Sequence, residues 1–145
     1  MKKLFIIYSV SLILLSASCQ AQKLVQGVND AKKLETNKEN FIGKPLKNLL
    51  TQIIPKIKFV YGNPENKWAG ANGGTYLNFH FIDKEQGRKK INNKQNPTAI
   101  IIEFTLDENN KHKPLPKGGL KEWTSENTNE YGDMIIANIR VIGGN

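Results

Sequence analysis

A single cysteine, Cys19, is the only thiol in 145 residues, so no disulfide can form within the chain and a stable fold must rest on a packed apolar core. Past residue 19 there is no thiol nucleophile and no thiolate for a metal. The composition suits a core of ordinary size. It is 39% hydrophobic and 23% charged, with a mean hydropathy of −0.47, the balance of a soluble globular protein.

Periodicity indicates how that core is supplied. Leu46, Leu49, Leu50 and Ile53 recur at i, i+3, i+4 and i+7, the spacing of one apolar helical face. Pro45 suits a first helical turn and Pro55 stops it, so a helix is predicted over about 45–53. Lys56 to Tyr61 alternates, with Ile57, Phe59 and Tyr61 expected on the buried side of a strand. In the next strand, 75–82, Leu77, Phe79 and Phe81 oppose Tyr76, Asn78 and His80. The β-branched run 99–106 and the run 134–142 supply two more. The charged stretch 84–97 and the Pro/Gly-containing 107–119 read as exposed connections, with a helical turn expected near 120–123.

One helix followed by four strands without alternating helices predicts an α+β domain, an N-terminal helix packed on a four-stranded, mainly antiparallel sheet. Its expected core is Leu46, Leu49, Leu50, Ile53, Ile57, Phe59, Leu77, Phe79, Phe81, Ile100, Ile102, Phe104, Ile135, Ala137, Ile139 and Val141.

The N-terminus carries a different message. Met1-Lys2-Lys3 precedes a dozen uncharged residues, Leu4 to Leu15, the charged-then-apolar order of a signal peptide. The run gives way to Ser16-Ala17-Ser18-Cys19 short of the roughly 20 apolar residues a membrane span needs. Leu15-Ser16-Ala17-Ser18-Cys19 resembles the lipobox of bacterial lipoprotein precursors, although Ser16 stands where that pattern has Leu. The resemblance implies that residues 1–18 are a signal peptide and that Cys19 becomes the first residue, bearing lipid that ties the protein to a membrane. Gln20 in place of Asp implies an outer membrane, facing the periplasm or the cell surface. Ordinary cleavage at Ser18 or after Ala21 would give a soluble periplasmic or secreted protein instead. Residues 19–40, polar with scattered Leu24, Val25, Val28 and Leu34, read as a tether, with one or two helical turns near Asp30 to Thr36, to a single domain over 41–145.

Loss of Lys2 and Lys3 lowers the formal charge from +8 to +6. That excess favours anionic lipid or an acidic envelope component as a partner, whereas no nucleic-acid motif is present. Neither His80 nor His112 falls in a metal-binding spacing, and no metal or other cofactor is expected. Glu103 interrupts an apolar run and shares an outward face with Arg140 and Asn138 if the two strands pair. Asn78, His80, Glu103, Asn138 and Arg140 therefore form a candidate binding face, and Trp68, in a loop rich in glycine and asparagine, a candidate anchor. The expected function is that of a non-enzymatic envelope binding module, of an inhibitor or immunity type or an assembly accessory. The alternative is a small envelope hydrolase working through Glu103 and His80.

Overall fold

A computed structural model of the chain describes residues 22–63, 76–105 and 121–144. Residues 1–18, expected to be a signal peptide, together with Cys19, Trp68 and His112, lie outside the described residues. The domain is α+β, with four main antiparallel strands and several helices rather than one. The strands are β1 (Phe59–Asn63), β2 (Tyr76–His80), β3 (Ala99–Phe104), the two-residue β4 (Lys121–Glu122) and β5 (Ile136–Ile142). Their order across the sheet is β4-β1-β2-β3-β5. The helices are α1 (Lys32–Thr36), α2 (Leu46–Leu50), α3 (Lys84–Asn92) and α4 (Ser125–Tyr131), with 3₁₀ turns at Val28–Ala31 and Lys38–Asn40.

The sheet's inner face carries Val60, Leu77, Phe79, Ile100, Ile102, Phe104, Ile139 and Val141, all buried. Against it pack Val25, Ala31, Leu34, Phe41, Leu46 and Leu49 from the N-terminal third, and Tyr131 and Met134 near α4. Trp123 sets its ring edge-on to Phe79 at 4.9 Å, a favourable aromatic geometry.

Four expectations are corrected. The tether is the largest: Val25, Ala31 and Leu34 are fully buried, so from Val25 onward this stretch belongs to the domain. Val25 donates to Gln52 O at 3.0 Å and accepts from Ile54 N at 2.9 Å. Asp30 Oδ2 accepts from Gly27 N at 3.0 Å, and Lys33 beside it holds the Asp30 carboxyl below its usual range. Capping and ion pairing thus organise polar positions while a few apolar ones reach the core.

The second concerns β1. Ile57 is buried ahead of the strand, but Val60 takes the inner position, which leaves Phe59 half-buried and Tyr61 exposed on the other face. Alternation holds only inside a strand, and this one begins at Phe59. The third is a β-bulge. Glu103 opposes Asn138 but Phe104 opposes Ile136, so Ala137 is the extra residue and Ile136, not Ile135 or Ala137, is buried.

Fourth, the connections contain structure. Residues 84–92 form α3, started by an Asp83 cap that accepts from Gln86 N at 2.8 Å. Residues 121–122 pair with β1 as β4, and the helix follows at 125–131, capped by Thr124. The helix expected over 45–53 is confined to Leu46–Leu50, with Leu50 and Ile53 half-buried at the edge of the core.

Candidate binding face and groove

Alternation and register place all five candidate residues on the outer face of the sheet. Three of them form one network. Glu103 Oε1 accepts from Arg140 Nε at 3.0 Å and pairs with Arg140 Nη2 at 2.7 Å, while Oε2 accepts from Asn138 Nδ2 at 3.3 Å. Lys38 Nζ extends the chain to Asn138 Oδ1 at 3.4 Å. With its charge balanced by Arg140 at the sheet's solvent side, Glu103 sits in a cross-strand ion pair of modest stabilising effect, about 0.2–1 kcal/mol.

Asn78 and His80 lie apart from that network. Asn78 is flanked by Tyr61 and Ile101, and its Oδ1 is buried without a hydrogen-bond partner among the described residues. His80 pairs in register with Phe59 on one side and Ala99 on the other. Ala99 and Glu103 are four positions apart on β3, about 13 Å along a strand. A proton relay between His80 and Glu103 would need hydrogen-bond reach. The two groups of the hydrolase alternative are therefore not brought together.

His80 instead belongs to a groove that the sequence reading missed. Helix α3 stands beside the outer face, and between them lies a cavity of about 280 Å³ whose sheet side is Phe59 and His80, with Ile82, Asp83 and Pro97 alongside. From the helix come Lys84, Gly87, Arg88 and Ile91, which are i, i+3, i+4 and i+7, one helical face. Ile91 is 62% exposed, and no residue of α3 is buried. The Phe59 and His80 rings lie 6.1 Å apart. Burial holds the His80 imidazole below its ordinary 6.5, so at neutral pH it is a neutral, largely apolar wall. The groove is thus apolar within, and its helical rim carries Lys84 and Arg88 against the single carboxylate of Asp83, a net positive edge.

No family model, curated protein or solved structure matches this chain. The site is accordingly read from its own geometry. Among the described residues no three histidine, cysteine, aspartate or glutamate side chains converge to hold a metal ion, and no helix is long and apolar enough to cross a membrane. The signals that would have exposed the groove were present in the sequence. Asp83 and Gln86 form a capping box, and the 84/87/88/91 spacing is helical. Charge density and Gly87 concealed them.

Proposed function

We propose that this is an exported envelope protein, held at the membrane by lipid on Cys19, whose domain is a non-enzymatic binding module. Its groove takes an apolar side chain from an acidic segment of a partner protein. An inhibitor or immunity-type protein and an assembly accessory are two versions of that role. The observation that carries the reading is Gly87. A glycine inside a helix costs roughly 0.5–1 kcal/mol relative to alanine, yet a Cβ at Gly87 would meet nothing within 4 Å among the described residues. Packing in the domain does not require the glycine. An open groove does, because any side chain there would enter it. Lys84 and Arg88 on the same helical face supply charge complementary to an acidic segment.

The test uses a photoreactive side chain at position 84 in producing cells. A discrete adduct with an acidic protein is expected, and Gly87→Leu should abolish it while thermal stability is kept or raised. A stable Gly87→Leu protein that still forms the adduct would remove the groove from the interface.

Anchoring has its own check. Six residue steps separate Cys19 from the buried Val25, a leash of at most about 20 Å when extended, so lipid on Cys19 would hold the domain close against the bilayer. Growth with a fatty-acid analogue should label the wild-type protein. Cys19→Ala is expected to lose both label and membrane association, and equal labelling of that variant would end the lipoprotein reading.

A further inference from the structure

We infer that a second site, the polar cavity where the end of α3 meets the end of β5, binds a phosphate-type anion. The cavity measures about 420 Å³ and is lined by Lys32, Lys90 and Lys94 with the amide side chains of Asn29, Gln95 and Asn96, and among the described residues no carboxylate side chain lines it. The three lysines are not equivalent. Lys32 Nζ donates to Val141 O at 2.8 Å and pairs with Glu35 at 3.3 Å. Lys90 and Lys94, by contrast, have no carboxylate within 4.0 Å among the described residues, although their neighbour Lys89 is matched to Glu85 at 2.8 Å. Like charges four residues apart repel. The negative end of the helix dipole accounts for a lysine in the last turn of α3, but Lys94 lies beyond the helix end at Asn92.

The walls of this cavity are fixed by the backbone. Gly143 has φ +69°, and a Cβ there would fall 2.5 Å from Asn96 O and 2.8 Å from Pro97 O, so only glycine lets the end of β5 pass so near the 96–97 segment. That close pass places the chain after α3 beside β5. Lys94 itself holds a left-handed backbone, φ 57°, a conformation few residues other than glycine adopt.

The ligand class follows from the charge and the donors. Two unmatched ammonium groups balance the roughly −1.5 to −2 charge of a phosphomonoester near neutral pH. Lysine is a compact point charge suited to phosphate oxygens, and neighbouring amides can donate to the remaining ones. A cavity larger than a bare phosphate leaves room for the group that bears it. Both a soluble phosphoester and a lipid headgroup with a terminal phosphate fit this chemistry.

Calorimetric titration of the purified protein with inorganic phosphate and with glycerol phosphate forms one arm. Sedimentation with phosphatidic-acid vesicles against phosphatidylcholine vesicles forms the other. Lys90→Gln/Lys94→Gln is expected to weaken binding at least tenfold in whichever arm binds, whereas Lys44→Gln/Lys58→Gln, which removes the same charge elsewhere, should leave it unchanged. Binding in the soluble arm identifies a free phosphoester, and binding only to phosphatidic acid identifies a headgroup. Equal loss in both double variants, or no binding in either arm, would overturn the site. Neither pair of lysines lines the groove beside α3, so the outcome is independent of the protein-binding reading.

Discussion

Leu34→Ala is expected to lower the free energy of unfolding by about 2–5 kcal/mol, the cost of emptying a fully buried leucine site. Leu34 is 0% exposed and lies in α1, inside a stretch whose composition resembles a linker. A tether residue would change stability by no more than about 0.5 kcal/mol. Chemical denaturation therefore separates the two descriptions by a wide margin. A Leu34→Ala midpoint equal to that of the wild type would show that residues 22–40 do not belong to the cooperative unit. Lys33→Ala alongside serves as a control, because Lys33 is exposed and its pairing with Asp30 at 2.7 Å lies at the surface.

Phe104→Ala should cost about 3–5 kcal/mol and Glu103→Gln less than about 1. The two residues are adjacent and point to opposite sides of β3. Phe104 is 2% exposed and packed in the main core, whereas the Glu103 side chain is 30% exposed and matched to Arg140. The comparison tests the alternation of β3, in which Phe104 continues the inward row of Ile100 and Ile102. Denaturation of both variants reads the contrast, and a larger loss from Glu103→Gln would mean that the strand faces are reversed.

Strands with long β-branched or aromatic runs were legible in the sequence because their burial is repeated along the whole element. In β2 and β3, Leu77, Phe79, Ile100 and Ile102 lie inward as the alternation predicts. The outward clustering of Glu103, Asn138 and Arg140 was legible for the same reason. Errors arose where a local event resets the phase. β1 starts two residues after Ile57, and the bulge swallows Ala137, so period-two reasoning carried across either point selects the wrong face. The groove escaped because half of it is α3, whose helicity comes from a cap and an i,i+4 ion pair between Glu85 and Lys89 instead of an apolar stripe. Burial of Leu34 escaped because three well-placed apolar residues suffice to dock a short segment that is otherwise polar.

The docking of the N-terminal third also sets an order of events during synthesis. Lys32 donates to Val141 O, Gly43 N to Ile136 O at 2.8 Å, and Ile136 N to Lys44 O at 3.0 Å. The earliest part of the domain to be made is thus completed by one of its last strands. While residues 136–142 remain in the ribosome, α1 and the 43–46 segment lack the surface that stabilises them, and closing so long a loop is intrinsically slow. The N-terminal third can accordingly complete its packing only once β5 has been made. If the chain is exported as proposed, such late closure would suit threading through a narrow channel before the fold is complete.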